Sequence, residues 1–207
     1  MVASALNAIA TAPGVRYSLS IDSGLNGGID SKGEIDFEGG RFSGTADGGA
    51  AGASMLLSGG PTHGAVILAD GLFVKTEEGP WERQPDETPF FHPLIDRTGL
   101  SKALATSFGA SQIDPAVRVA PCGAETCQVV GLGLPQGALV GLASFVFAER
   151  ASEPPPDLAP VTLDLYMDPS GFPVRMETRI TAGPTVTTVT LQLARLDPPP
   201  LIAPPIP

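Results

Sequence analysis

The stretch "LYMDPSGFPVRMET", residues 165–178, reads as two β-strands joined by a tight turn. Asp168, Pro169, Ser170 and Gly171 supply the turn, because proline fixes φ at its second position and glycine accepts a positive φ. On either side, apolar and polar residues alternate as they do in strands with one buried face. The stretch therefore predicts a β-hairpin near the end of the chain.

The same alternation runs through most of the chain. Tyr17, Leu19 and Ile21 alternate with polar residues, and Ile35 and Phe37 repeat the pattern with both side chains predicted to point inward. Short turns between neighbouring segments favour antiparallel pairing, which predicts about ten antiparallel strands. The predicted strand segments are VRYSLSID (15–22), EIDFEG (34–39), RFSGTADG (41–48), ASMLLSG (53–59), HGAVILADGLFVKT (63–76), VRVAPCGAETCQVVGL (117–132), VTLDLYMD (161–168), VRMETRI (174–180) and TVTLQLARL (188–196).

Three segments carry apolar residues at helical spacing instead. The first is residues 2–12, in which Ala3, Leu6, Ile9 and Ala10 share one predicted face. The other two predicted helical segments are residues 89–109 and 136–149. Strands before and after a helical insertion define the α+β class, and the helices are expected to cover one face of a sheet that must twist and curl. We expect a single domain over residues 1–207.

Composition excludes several classes of function. The chain has 207 residues, 43% of them hydrophobic, 12 Lys and Arg together, and a formal net charge of −10. So acidic a chain is a poor partner for nucleic acid or for anionic lipid headgroups. No window approaches the roughly 20 apolar residues of a membrane helix. The N-terminal residues lack the basic head and long apolar core of a signal peptide, so any export signal or lipid anchor is expected upstream.

Residues that could carry catalysis are few. His63 and His92 are the only histidines, and neither has a second ligand at a metal-binding spacing. The sequence has no G-x-S-x-G elbow, and its glycine clusters match no phosphate-binding loop. We therefore predict no catalytic residues, no metal, no cofactor and no enzymatic activity.

Cys122 and Cys127 are the two cysteines, and four residues separate them at the tip of a predicted hairpin. Strands side by side at such a tip bring Cα atoms within the range that a disulfide requires. A disulfide would indicate an oxidising compartment outside the cytoplasm. Free thiols and a metal site are the alternatives, although C-x4-C without further Cys or His nearby is a poor zinc site.

Trp81 lies in the polar segment EEGPWERQ, residues 77–84. One interpretation is a surface-loop aromatic residue packed on the edge of the sheet. The other is a lid over an opening.

Four segments together resemble the LolA/LolB-like superfamily of bacterial lipoprotein carriers, nearest the LppX/LprG-type lipoproteins. They are GLFVKTEEGPWERQ (71–84), HPLIDRTGLSKAL (92–104), CGAETC (122–127) and VTLDLYMDPSGFPVRMET (161–178), the last followed by a final strand and a Pro-rich end. The resemblance implies a single curved antiparallel half-barrel sheet with helices covering its concave face. The sequence departs from the family pattern because neither of its cysteines is a lipobox cysteine near Met1.

The resemblance also implies a function without catalysis. We expect an extracytoplasmic carrier that holds the acyl chains of a lipid or acylated glycolipid in an apolar cavity, acts as a monomer and reaches the membrane surface through an upstream lipid anchor. The alternative is a cell-envelope protein-interaction module with a collapsed core. The cavity residues expected from the helices that face the sheet are Phe90, Phe91, Leu94, Leu104, Phe108, Leu139, Leu142, Phe145 and Val146.

Overall fold

The computed structural model describes ten stretches of the chain: residues 2–22, 28–47, 63–68, 71–76, 79–84, 112–113, 116–123, 125–134, 161–182 and 185–205. Within these stretches the chain forms one α-helix and twelve β-strands. They are α1 (Val2–Thr11), β1 (Gly14–Asp22), β2 (Gly28–Asp36), β3 (Arg41–Asp47), β4 (Gly64–Leu68), β5 (Gly71–Lys75), β6 (Trp81–Gln84), β7 (Gln112–Ile113), β8 (Arg118–Cys122), β9 (Glu125–Leu134), β10 (Val161–Met167), β11 (Pro173–Ala182) and β12 (Thr185–Leu196).

All twelve strands belong to one antiparallel sheet. Its order is β6-β5-β4-β3-β2-β1-β12-β11-β10-β9-β7, and β8 pairs with β9 beside that path. The sheet is open among the described residues, since β6 and β7 stand at opposite ends of the order. The predicted antiparallel pairing is thus confirmed, and the number of strands is twelve where about ten were predicted.

The two runs of strands meet at the centre of the sheet. β1 pairs with β12 over nine residue pairs, from Gly14 opposite Leu196 to Asp22 opposite Thr188. This pairing joins the first strand of the chain to the last. Every other pairing along the order except β7 with β9 is between strands adjacent in sequence.

Strand register divides the side chains between two faces. We call the face whose side chains form the main hydrophobic cluster the core face; it carries Val15, Ile35, Phe42, Leu165 and Met176. We call the opposite face, which carries mostly polar and charged side chains, the outer face; it carries Arg16, Glu34, Tyr166, Arg175 and Gln192. Ile35 and Phe37 are both buried in the main cluster, which confirms their predicted inward direction.

α1 packs on the core face of the sheet. Its buried residues Val2, Ala5 and Ile9 recur at the period of an α-helix, and together with Ala12, just after the helix, they belong to the same cluster as the core-face side chains. The predicted helix is confirmed, but the predicted face is wrong for Ala3, which is exposed. No other helix is found among the described residues, and the predicted helical segments 89–109 and 136–149 lie outside them, as does the predicted strand 53–59.

The turn at 168–171 adopts the conformation that its residues favour. The amide of Gly171 donates to the carbonyl of Asp168 at 2.9 Å, and φ of Gly171 is 83°. The Asp168 carboxylate also accepts from the amide of Phe172 at 2.9 Å and from the hydroxyl of Ser170 at 2.6 Å. These bonds hold the turn closed and place Phe172 in the main cluster.

The Pro-rich end of the chain has no regular secondary structure from Asp197 to Pro205. It nevertheless packs on the sheet, because Ile202 is buried and its carbonyl accepts a hydrogen bond from Arg41 Nη1 at 3.4 Å. The proline residues supply this extended conformation without amide donors that would need partners. The tail is therefore part of the folded structure.

We predict that Gly171→Val lowers the free energy of unfolding by about 1 kcal/mol or more, because a β-branched residue resists positive φ. The cost should be conformational and not steric, since a Cβ atom at this position would lie 3.6 Å from Ser4 Oγ, an ordinary contact. Denaturant midpoints measure the change. Gly171→Asn is the matched control, because asparagine tolerates this region and should retain most of the stability. Equal midpoints for the valine variant and the native chain would contradict the prediction.

Candidate ligand-binding surfaces

The core face presents an apolar floor across the centre of the sheet. Leu19 pairs with Leu191 and Ile21 with Val189 across the β1–β12 junction, and these side chains form a second hydrophobic cluster. The two β1 residues are buried, whereas the β12 residues are only partly buried. We call the partly exposed apolar residues of the three central strands the accessible strip; they are Tyr17, Val174, Val189, Leu191 and Leu193.

The accessible strip is flanked by fully buried side chains. Phe42 and Ala46 lie on one side of it, and Leu165 and Val130 on the other, and all four are at most 2% exposed. Apolar side chains on central strands normally pack at the density of an organic crystal, without access to solvent. Partial exposure at the middle of the floor therefore marks a place where an apolar ligand could gain contact.

A polar group interrupts this floor at Tyr17. The Tyr17 ring lies over the paired glycines Gly33 and Gly44, where a Cβ atom would approach Tyr17 Cε1 and Oη to 2.8 Å in each case. The ring also stacks on Phe42 with 6.1 Å between centroids, and the hydroxyl lies 3.3 Å from Ser31 Oγ. Two residues without side chains thus create the shallow groove that holds the ring.

Burial raises the pKa of the Tyr17 phenol to about 12, against 10.0 for the free side chain, while the hydrogen bond with Ser31 acts in the opposite direction. The phenol and the Ser31 hydroxyl can both donate and accept hydrogen bonds. They form a neutral polar pair within an otherwise apolar surface.

The nine side chains expected from the sequence to line a cavity lie outside the described residues. These are Phe90, Phe91, Leu94, Leu104, Phe108, Leu139, Leu142, Phe145 and Val146. The floor residues that the structure shows are not among these nine, although alternation had marked Tyr17, Leu19 and Ile21 as one face of a strand. Partial exposure of a core-facing strand is a tertiary property, and no local pattern indicates it.

A disulfide closes the predicted hairpin of β8 and β9. Cys122 and Cys127 are bonded, with 5.7 Å between their Cα atoms. Cys127 and Val129 are buried, whereas the alternating residues Thr126 and Gln128 are exposed. Val129 pairs with Tyr166, whose side chain lies on the outer face of the sheet. The buried side of the hairpin, which carries Cys127 and Val129, is therefore on the outer face. The hairpin therefore folds toward the outer face.

Ion pairs organise the outer face. Arg118 of the hairpin pairs with Asp164 of β10, and Arg16 donates to Glu34 Oε1 from Nε at 2.9 Å and from Nη2 at 2.6 Å. Arg175 pairs with Glu177, and its guanidinium lies 5.0 Å from the centre of the Tyr166 ring. Exposed pairs of this kind add little stability, but they fix where the charged groups lie.

Trp81 is not a surface-loop residue, as one interpretation of the sequence had it. It begins β6 and pairs with Lys75 of β5, and its ring lies within 2.9 Å of the Cβ position of Gly64. The segment was read as a loop because WERQ lacks apolar alternation. The strand is defined instead by its backbone pairing with β5, from Leu72 opposite Gln84 to Lys75 opposite Trp81.

The described residues contain no cluster of His, Cys, Asp and Glu suited to a metal ion. Within the same residues, no helix is long and apolar enough to cross a membrane. His63 uses its backbone in the sheet, where its amide donates to the carbonyl of Lys75 at 2.8 Å and its carbonyl accepts from Ala46 at 3.1 Å.

Comparison with known proteins gives a fold. No protein-family model matches the chain, and no curated protein matches its sequence. The structure of lipoprotein LppX from Mycobacterium tuberculosis superposes with a TM-score of 0.56 at 13% sequence identity, covering 97% of this chain and 94% of LppX. At that identity the likeness shows the fold, which is LppX-like, as the sequence resemblance implied.

Two further structures superpose less well. An uncharacterised conserved protein from Thermus thermophilus gives a TM-score of 0.41 at 6% identity, over 92% of this chain and 85% of that one. A LolA superfamily protein from Nitrosomonas europaea gives 0.31 at 9% identity, over 92% of this chain and 90% of that one.

Tyr17 predicts a pH dependence of stability. Its folded-state pKa of about 12 lies above the value of 10.0 that applies to the unfolded chain, so the unfolded state loses this proton first as pH rises. The free energy of unfolding should therefore fall between about pH 10 and about pH 12. In Tyr17→Phe, which has no phenol at this site, denaturant titrations should show a smaller fall over the same range. Identical slopes for the two proteins would contradict the assignment.

The disulfide predicts that neither cysteine reacts with an alkylating reagent in native protein made in an oxidising compartment. Intact mass without reductant should show no added label, and two labels after reduction and unfolding. Reduction should lower the free energy of unfolding by only about 2 kcal/mol, since the closed loop is short. Two labelled thiols before reduction would contradict the pairing.

Proposed function

We propose that the protein is a non-enzymatic carrier of lipids or acylated glycolipids outside the cytoplasm. The whole chain, residues 1–207, would form one carrier domain in which a curved half-barrel sheet and its covering helices enclose the acyl chains. The observation that carries the proposal is the accessible strip on the core face of an LppX-like fold. The disulfide fits an oxidising compartment, which supports the location.

The free energy of moving an acyl chain out of a bilayer sets how much apolar contact the carrier must supply. Burying one CH2 group is worth about 0.8 kcal/mol, so a chain of about 16 carbons needs roughly 12 kcal/mol of apolar contact to leave a bilayer unaided. The accessible strip supplies one wall of large apolar side chains. The second wall would come from Phe90, Phe91, Leu94, Leu104, Phe108, Leu139, Leu142, Phe145 and Val146.

A carrier needs no catalytic group, because it binds the chains, shields them from water and releases them. The polar pair of Tyr17 and Ser31 would then meet a hydroxyl or ester oxygen of the lipid, since both groups can donate a hydrogen bond inside the floor. Attachment to a membrane through an upstream lipid anchor and a monomeric state belong to the same proposal.

The test is native mass spectrometry, together with organic extraction, of full-length protein made in a bacterium. We predict a bound long-chain lipid in the native protein. Leu191→Trp should reduce lipid content several-fold, because the larger ring occupies the accessible strip. Val186→Trp is the matched control, since Val186 lies on the same strand, is 50% exposed and points to the outer face, and it should leave lipid content unchanged. Leu142→Trp and Phe145→Trp should act like Leu191→Trp if those residues form the second wall.

Thermal melts check that each variant keeps the native fold. A protein that emerges without lipid and also rejects added phospholipid and fatty acid would contradict the carrier proposal.

The alternative is a cell-envelope protein-interaction module with a collapsed core. One feature favours it: β8 pairs with β9 alone among the described strands, and Val119 on β8 is 71% exposed. A partner strand could add to such an edge. A core without bound lipid, combined with a partner captured through β8, would favour this alternative.

A further inference from the structure

A pocket of about 690 Å³ lies beneath the disulfide hairpin. Four adjacent central strands (β2, β1, β12 and β11) form its floor, and the tip of the β8–β9 hairpin forms its wall. Its volume lies within the range of small-molecule sites. The lining residues are Arg16, Tyr17, Ser18, Lys32, Gly33, Glu34, Pro121, Cys122, Gly123, Val174, Arg175, Gln192, Leu193 and Ala194.

Strand register assigns this pocket to the outer face. Lys32 pairs with Ser18, Ser18 with Gln192 and Gln192 with Arg175, so these four side chains form one row across the strands. The adjacent row on the same face contains Glu34, Arg16 and Ala194. The side of the hairpin that carries the disulfide faces the outer face of the sheet, and the hairpin tip forms one wall of the pocket. Tyr17, Val174 and Leu193 of the accessible strip also border the pocket, although register directs their side chains to the opposite face of the same strands.

The charge of the pocket is opposite to that of the chain. Arg16, Lys32 and Arg175 contribute three positive charges and Glu34 one negative charge, whereas the formal net charge of the protein is −10. A concave arrangement of like charges strengthens the local field, so these cations attract an anion more strongly than dispersed surface cations do.

Donor capacity remains after the ion pairs are formed. Both bonds from Arg16 end on Glu34 Oε1, which leaves Arg16 Nη1 outside that pair. Nε of Arg175 is buried and has no hydrogen-bond partner. Lys32 is exposed and forms no ion pair within the described parts of the chain. Three cationic donors on three strands therefore surround one concavity.

We propose that this outer-face pocket binds the phosphate group of a small organic phosphate or of a lipid headgroup. A phosphate offers several strong acceptor oxygens to donors that approach from different directions, and arginine matches it with charge-assisted hydrogen bonds. Ser18 and Gln192 provide neutral donors in the same row. The remaining volume accommodates the organic part of the ligand against the hairpin wall.

The anion site can be tested separately from the proposed carrier function, because register places its three cations on the other face of the central strands. Lipid content in the extraction experiment should therefore be unchanged when the cations of this pocket are removed. Failure of either proposal leaves the other standing.

The test measures binding of two probes to the full-length chain. Glycerol 3-phosphate is titrated by calorimetry, and flotation measures binding to phosphatidylglycerol vesicles with phosphatidylcholine vesicles as reference. We expect one probe to bind, more weakly as salt rises. Lys32→Gln and Arg175→Gln should each weaken that binding about tenfold, the effect of losing one charge-assisted hydrogen bond. Calorimetric binding assigns a soluble phosphate, and flotation alone assigns a lipid headgroup.

Arg179→Gln is the matched control. Arg179 lies on β11 and on the same face as Arg175, it is exposed, and it does not line the pocket, so its loss should leave affinity unchanged. Lys32→Gln keeps the test decisive if Arg175→Gln disturbs the packing on Tyr166, because Lys32 is exposed. Absence of binding to both probes, or equal weakening by Lys32→Gln and Arg179→Gln, would overturn the proposal.

Discussion

The pairing of β1 with β12 is the constraint on which the rest of the structure depends. It brings residues 14–22 against residues 188–196, and it turns two separate runs of antiparallel strands into one sheet. Closing so long a loop costs entropy, although the cost grows only slowly with length. A ladder of nine residue pairs, with Leu19 against Leu191 and Ile21 against Val189, offsets that cost. Both candidate binding surfaces straddle this junction, one on each face, so neither could exist in either run of strands alone.

Local sequence patterns predicted the elements whose conformation depends on residues close together in the sequence. Alternation indicated β1 and the three-strand meander, because a strand with one buried face repeats every two residues. The strand predicted at 34–39 was misplaced, since β2 is Gly28–Asp36 and residues 37–40 form a turn. Turn chemistry indicated the hairpin at Asp168 to Gly171, since positive φ at glycine is needed there and is present. The cysteine spacing predicted the hairpin tip where the disulfide lies.

What the sequence did not predict depends on contacts between distant residues. The β1–β12 register and the packing of the tail at Ile202 join positions more than 150 residues apart. The hydrogen bond from Arg41 to the carbonyl of Ile202, for example, joins residues 161 positions apart. Trp81–Gln84 forms a strand only because β5 lies beside it and pairs with it. The groove under Tyr17 exists only because Gly33 of β2 lies opposite Gly44 of β3. The outer pocket combines strands from both ends of the chain with a hairpin from its middle, so no single motif announces it. Our cavity residues came from helical stripes, whereas the accessible strip is formed by strands.

The central claim is that acyl chains lie on the core face, against the accessible strip. The most direct measurement is photo-crosslinking of the purified protein with a long-chain fatty acid that carries a diazirine near its methyl end, followed by peptide mapping. Our account predicts that label concentrates on core-facing residues of β12 and β1, among them Leu191 and Tyr17, and that excess unlabelled fatty acid removes it. Label confined to the outer face or the disulfide hairpin, or label that unlabelled fatty acid fails to displace, would contradict the account.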